Sequence, residues 1–356
     1  MKEHFRKWWL AADRFVAFRW LLVVTQALCI WVTWPLWQVR ITPPMLPLLD
    51  VPQIGYGTLL LASLAVVLMH GAAGVILHSA LLLMAMASDQ MRLQPEFISQ
   101  AILLWGTLPW GAARSVARAH LIALWFYSGF HKLDCPYFYR GDAHWLVTSL
   151  FPAASVGIST AVGVGLALAE ISLAVCALLP QTRTLAVWMA YFFHLGIVST
   201  LALGLGWDPA VWPWNLALAA AGYVFIGSWK ATPTAEFRQL SVVLRLAVGL
   251  ILLSPLLYDS GWIDTYLCHV LYSSHASLAW IRTPDGRREL IDTRPQLNVP
   301  VPQIERLYAA SFAATAAPGD ELEIFDPRWC SRWRNREHRV IGNERERAAQ
   351  PGTVRN

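Results

Sequence analysis

Residues 156–179 read VGISTAVGVGLALAEISLAVCALL, a run in which Glu170 is the single charge. A helix rises 1.5 Å per residue and the hydrocarbon core of a bilayer is about 30 Å thick, so about 20 such residues cross it. The run is long enough, and it reads as a transmembrane helix. Working outward, the same measure places helices near 15–37, 55–70, 72–88, 97–109, 115–131, 185–205, 211–229 and 241–257. Residues 55–88 are too long for one crossing, and the small residues of His70-Gly71-Ala72-Ala73-Gly74 supply a tight hairpin between two. The segment 97–109 is short, so the expected count is eight or nine spans. Lys2, Arg6 and Lys7 precede an apolar stretch in the manner of a signal peptide. The stretch from Phe15 to Trp37 spans a bilayer, however, and no small-residue cleavage site follows, so it reads as an uncleaved first helix.

Composition agrees. Hydrophobic residues make up 56% of the chain and charged residues 14%, against about 25% charge in an average soluble domain. Many of the 19 tryptophans, among them Trp34, Trp37, Trp110 and Trp207, sit near span ends, where indole rings favour the membrane–water interface. The net charge of +5 is gathered at the start, in the connecting loops and in the C-terminal stretch. Charge so placed sets orientation, and nucleic acid is not an expected partner. The Lys/Arg bias of short loops puts Lys2, Arg6, Lys7, Arg14, Arg114, Arg118, Arg183, Lys230 and Arg238 inside, and the fewer Arg40, Arg92, Lys132 and Arg140 outside. The N-terminus is then cytoplasmic, and nine spans leave everything after Tyr258 outside.

The tail is different material, frequent in charge from Asp259 onward. Leu278–Arg282 and Glu289–Asp292 flank Pro284-Asp285-Gly286, a hairpin turn signal. A helix is expected over Gln303–Ala316 and a strand over Glu321–Phe325. From 328 to 356 arginine dominates and apolar residues thin out, the composition of a disordered or surface segment. The expected architecture is an all-α integral membrane bundle (1–258), a small α+β extracytoplasmic domain (259–327) and an Arg-rich tail (328–356). None of Cys29, Cys135, Cys176, Cys268 and Cys330 has metal-ligand spacing, and no metal is expected. Cys268 and Cys330 are placed to pair in an oxidising compartment.

Ionisable groups inside spans are costly, so each is a functional candidate: His78, His120, Lys132, Glu170 and His194. The densest cluster is Trp125-Phe-Tyr-Ser-Gly-Phe-His-Lys-Leu-Asp134. A lysine at the outer end of an apolar helix can simply snorkel to the interface. Here His131, Lys132 and Asp134 lie together, and Gly129 lets a helix or a ligand approach closely. Burial there disfavours the charged form of Lys132 and makes it a usable base. Glu170 is expected to pair with His194 or Arg183 or to carry protons, and His120 to serve a loop or interfacial role.

The segment Tyr127-Ser-Gly-Phe-His-Lys-Leu-Asp134, with Gly141 following, resembles the signature of vitamin K-dependent gamma-carboxylase and of its bacterial relatives, the horizontally transferred transmembrane (HTTM) domain family. Leu77-His-Ser-Ala-Leu-Leu-Leu-Met84, followed by Ser88-Asp89, resembles that family's histidine-bearing helix. Glu170, Arg183, Phe193-His194, Leu205-Gly206 and Trp212-Pro-Trp214 resemble its later stretch, in the same order. The resemblance implies an enzyme in which Lys132 deprotonates a vitamin K-like quinol, oxygen adds on the way to an epoxide, and the strong base so formed takes a proton that carbon dioxide replaces. His78 matches the histidine of the glutamate-side chemistry, and His131, Tyr127 and His194 are expected beside the quinol. Such a chain is a quinol- and oxygen-dependent carboxylase-like lyase or monooxygenase, with the bilayer around it and a protein substrate or partner at the C-terminal domain. The alternative is a non-catalytic scaffold or a quinone- or lipid-binding component. A transporter is disfavoured, because the spans show no matched pair of Gly/Pro-broken helices.

Overall fold

The computed structural model describes residues 14–49 and 51–342. Lys2, Arg6, Lys7 and the end of the Arg-rich tail, 343–356, lie outside the described residues.

Every expected span segment is helical: α1 (Arg14–Val32), α2 (Gly57–His70), α3 (Ala72–Ser88), α4 (Pro95–Gly106), α5 (Gly111–Asp134), α6 (Val156–Leu178), α7 (Arg183–Val198), α8 (Val211–Ala221) and α9 (Val242–Leu253). Among the described residues, four helical stretches are long and apolar enough to cross a membrane: Arg14–Val32, Val156–Leu178, Pro180–Leu205 and Val242–Ser260. The third is α7 extended by a π-helical turn, Ser199–Leu205. Gly57–His70, Ala72–Ser88 and Val211–Ile226 are apolar but shorter. At 24 residues α5 has the length, and its charges set it apart from the apolar four.

Helix α4 has only 12 residues, about 18 Å at 1.5 Å each. Phe97, Gln100, Leu103 and Leu104 on it are fully buried, so it packs against protein and needs no lipid-matched length. Its flanks nevertheless reach both ends of the bundle. At one end Gln94 Nε2 donates to the Pro300 carbonyl (2.9 Å); at the other the Thr107 carbonyl accepts from Arg19 (3.1 Å). The hairpin between α2 and α3 turns on Gly71 at φ +50°, and a Cβ at Gly74 would lie 2.4 Å from the Val67 backbone. Only glycine fits that close approach.

The central helix is α5, packed on α4, α6 and α9. Its C-terminal end, carrying Lys132, meets the tail; its N-terminal end, carrying Arg118, meets the Pro233–Gln239 helix through Glu236. The loops sort between these ends. Arg40 pairs with Asp89, and buried Arg92 donates to the Leu36 and Gln38 carbonyls at the Lys132 end. Arg183 donates to the Trp229 carbonyl at the Arg118 end.

The C-terminal region forms a four-stranded antiparallel sheet in the order β2-β1-β3-β4, from β1 (Leu278–Arg282), β2 (Arg288–Leu290), β3 (Glu321–Phe325) and β4 (His338–Gly342). A helix, Glu305–Thr315, lies before β3. The hairpin, helix and third strand fall where the sequence places them. Of the two expectations for the Arg-rich stretch, disorder fails over its first part, which is ordered and largely on the surface: Trp329–Trp333 is helical and His338–Gly342 completes the sheet. Strand pairing with β3 supplies the order that its composition lacks. Nor does the sheet have a core of its own. Ala279, Leu322, Ile324, Val299 and Phe312 belong to one buried apolar cluster continuous with Leu22, Leu64 and Trp125 of the helices.

Between α9 and β1 the chain dips into the bundle. Tyr266, Cys268, His269, Val270, Ser273, His275, Ala276 and Ser277 are buried, and the path is bent by His269, Tyr272 and Ser274, all at positive φ. The imidazole of His269 reaches His120 of α5, ring centroids 5.3 Å apart. His120, expected at a loop or interface, is thus an interior residue bonded to Ser99 (2.8 Å). This re-entrant segment plugs the Lys132 end of the bundle.

Candidate functional site

Positions 124, 125, 128 and 132 recur at helical spacing, and so Leu124, Trp125, Ser128 and Lys132 share one face of α5. That face lines a cavity of about 790 Å³. Its other walls come from Glu170 of α6, Phe193 and His194 of α7, Trp214 and Asn215 of α8, and Tyr266 and Tyr272 of the plug. Phe192 and Trp145, both exposed, also stand on the wall.

Lys132 and Glu170 form a buried ion pair, Nζ to Oε2 2.8 Å and to Oε1 3.1 Å. The ammonium also donates to Ser128 Oγ (2.8 Å) and to the Ser128 carbonyl (3.2 Å), while the Ser128 hydroxyl donates to Glu170 Oε1 (3.1 Å). Glu170 therefore pairs with neither His194 nor Arg183. The approach of α6 that makes the pair is allowed at Gly129, where a Cβ would stand 2.5 Å from the Ala167 carbonyl and 3.0 Å from Glu170 Cβ. Lys132, Glu170 and Ser128 thus form one hydrogen-bonded unit on the cavity wall.

His194 is on the wall, with both ring nitrogens engaged. The Trp125 indole N–H donates to Nε2 (3.0 Å), and Nδ1 donates to Asn215 Oδ1 (2.8 Å), since Asn215 Nδ2 is committed to the Val211 carbonyl. The ring is neutral with its tautomer fixed, and it orients Trp125.

The other expected site residues are elsewhere. Tyr127 and His131 lie on the next face of α5: Tyr127 donates to the Leu252 carbonyl of α9 (2.6 Å), and His131 Nε2 donates to the Cys268 carbonyl (3.2 Å). A turn of 100° per residue separates that face from Lys132. His78 is buried between α3 and α2, its Nδ1 bonded to Ser63 Oγ (2.7 Å), and it is not on the cavity wall. The structure does not bring His78 and Lys132 to one cavity. All five cysteines are free, Cys268 and Cys330 included.

Further acids on the wall, Glu96 and Asp208 among them, were not singled out in the sequence. Glu96 and Asp208 each keep a buried carboxyl oxygen without a partner, and Tyr272 donates to Asp208 Oδ2 (2.6 Å). Burial pushes the Asp208 carboxyl up to about 6, against the lowering effect of the Tyr272 hydrogen bond and of Arg294. The same burial pushes the Tyr272 phenol well up. An acid beside an apolar span was a sequence signal for Glu96; nothing local marked Asp208, whose surroundings are made by the plug.

None of the family models, curated proteins or solved structures compared with the chain matches it.

Proposed function

We propose that the chain is a multi-pass membrane enzyme, crossing nine times with its N-terminus cytoplasmic, that takes a quinol of vitamin K type from the bilayer into the Lys132 cavity and uses oxygen to oxidise it. The observation that carries this reading is the Lys132–Glu170 pair, buried on the wall of a roomy, aromatic cavity. The sorting of loop and tail contacts to two ends supports the odd number of crossings, with the plug and sheet outside.

The lining fits such a ligand. Trp125, Phe193, Trp207, Trp214 and Tyr266 offer flat apolar surface, and ligand sites of this size combine such surface with few polar groups. A bound quinol supplies a phenolic proton and reducing electrons for oxygen. The residues of the chain supply the rest. Glu170 accepts the proton, the Lys132 ammonium stabilises negative charge on the oxygen that released it, and Ser128 holds both in register. The low-dielectric wall strengthens each of these interactions. His78 takes no part at this cavity, so the reading extends to quinol oxidation and not to the glutamate-side step.

A second reading, a quinone-binding component without turnover, is favoured by one feature: the Lys132 donors are spent on Ser128 and Glu170, as in a purely structural pair. A photoreactive naphthoquinone and the purified chain in lipid nanodiscs separate the outcomes. Labelling at the cavity wall with menadiol-dependent oxygen uptake is the result expected of the enzyme. Labelling without uptake over several quinols supports the binding component, and labelling elsewhere overturns both.

A further inference from the structure

A second polar cluster lies outside the Lys132 cavity, where the outer end of α5 meets the plug. His131, His275 and Asp259 each place one ligand atom within 4.8 Å of the others. His131 and His275 are fully buried, with ring centroids 5.5 Å apart, and the ring of buried Tyr258 closes one side, 5.2 Å from His131.

The hydrogen bonds fix where the lone pairs are. A carbonyl only accepts, so His131 gives its Nε2 hydrogen to Cys268 (3.2 Å). His275 Nε2 lies 3.0 Å from Asp259 Oδ1, which also accepts from the Trp329 backbone N–H (3.1 Å). Each imidazole then carries its lone pair on Nδ1, and both Nδ1 atoms are buried without a partner. A buried acceptor left unsatisfied is costly, so the free His131 Nδ1 calls for a partner. The far nitrogen of His131 is tied to a carbonyl, the arrangement that orients a histidine toward a metal. His275 Nε2 and Asp259 Oδ1, by contrast, already stand 3.0 Å apart as neighbouring ligands would, and an ion would take the place of the proton between them, with the His275 hydrogen moving to Nδ1.

We propose that His131, His275 and Asp259 bind a divalent transition-metal ion of the zinc type. Two nitrogens and a carboxylate oxygen suit zinc and its neighbours rather than calcium or magnesium. Metal–nitrogen distances of about 2.0–2.1 Å require the three groups to draw together by about 1 Å, a side-chain adjustment. With three protein ligands the fourth position stays open to water. The ion joins α5 to both ends of the re-entrant segment, Asp259 before it and His275 within it, and so clamps the plug over the cavity beside Lys132.

The test uses the full chain in detergent, stripped with a chelator and titrated with Zn(II) and, separately, Co(II). The expected result is about one ion per chain, a rise in Tm with Zn(II), and the visible absorption of four-coordinate Co(II). His131→Gln and His275→Gln are expected to lose that absorption, Asp259→Asn to weaken binding at least tenfold, and His78→Gln to leave it unchanged. Wild-type protein that retains no Zn(II) and gives no Co(II) absorption overturns the proposal without recourse to any variant. Binding that survives in His131→Gln and His275→Gln also overturns it, as does a water bridging the two Nδ1 atoms in a structure grown with Zn(II).

Discussion

Helix α5 carries an ion pair near each end, and the two differ in what surrounds them. At one end Arg118 Nη1 donates to both oxygens of Glu236 (2.9 Å each) while its Nε donates to the Phe225 carbonyl (3.1 Å), with Ser115 on the same carboxylate and the Trp229 ring 5.3 Å away. That pair faces packed side chains and ties the Pro233–Gln239 helix to the bundle. At the other end Lys132 and Glu170 are as well paired, but one side of the pair is a cavity wall. The same chemistry serves as a staple where space is filled and, under the proposed function, as a reactive group where space is left open. Guanidinium suits the first, being a rigid fork, and ammonium the second, being a compact donor that can turn toward a ligand.

Breaking the outer pair has the largest expected effect. Lys132→Ala leaves a buried carboxylate uncompensated, which costs about 3–5 kcal/mol, and it is expected to abolish quinol-dependent oxygen uptake. Adding Glu170→Gln should return much of the stability, read as Tm in detergent, and none of the uptake. Retained uptake in either variant would make the outer pair another staple. Gly129→Val tests the closeness of α6, because its Cβ would meet the Ala167 carbonyl; the expected loss is about 3 kcal/mol, with uptake falling as the pair separates. Arg118→Met removes the inner pair. With both partners partly solvated the loss should be about 2 kcal/mol, seen in Tm and not in uptake per folded molecule.

The smallest expected effect concerns the acid at the cavity rim. Burial raises the Asp208 carboxyl from about 3.8 to about 6, so the folded state holds its proton more tightly than the unfolded chain. Its stabilising contribution is complete below about pH 4 and is lost as pH rises through 6. Asp208→Asn should therefore gain about 3 kcal/mol over the wild type at pH 8 and almost nothing at pH 4, measured as the difference in Tm at the two values. An equal gain at both pH values would show that the acid is ionised throughout.

What the sequence made legible follows the range of each signal. Apolar runs located the helices, because that pattern is local. The Gly71 hairpin and the turn at Pro284–Gly286 were legible for the same reason, and Lys132 stood out as a charge at the end of an apolar helix. Depth and rotation of helices against one another are not local. Glu170 was visible as a lone charge, yet its partner depended on how far α6 slides along α5, which Gly129 decides. Tyr127, His131 and Lys132 are neighbours in sequence and point into three different settings. His78 resembled a site residue by motif, and packing assigned it to Ser63. The re-entrant segment was least legible, since its polar residues read as solvated tail until buried His120, Asp208 and His131 are seen to receive them.

The central claim is that the outer pair works and the inner one only holds. Menadiol-dependent oxygen uptake by wild type, Lys132→Ala and Arg118→Met in nanodiscs, each normalised to folded protein, tests it most directly. Uptake is expected in the wild type, with at least a hundredfold loss for Lys132→Ala, the order expected when a donor that stabilises a developing oxyanion is removed, and a rate within twofold of wild type for Arg118→Met. Equal losses in the two variants, or undiminished uptake in Lys132→Ala, would contradict it.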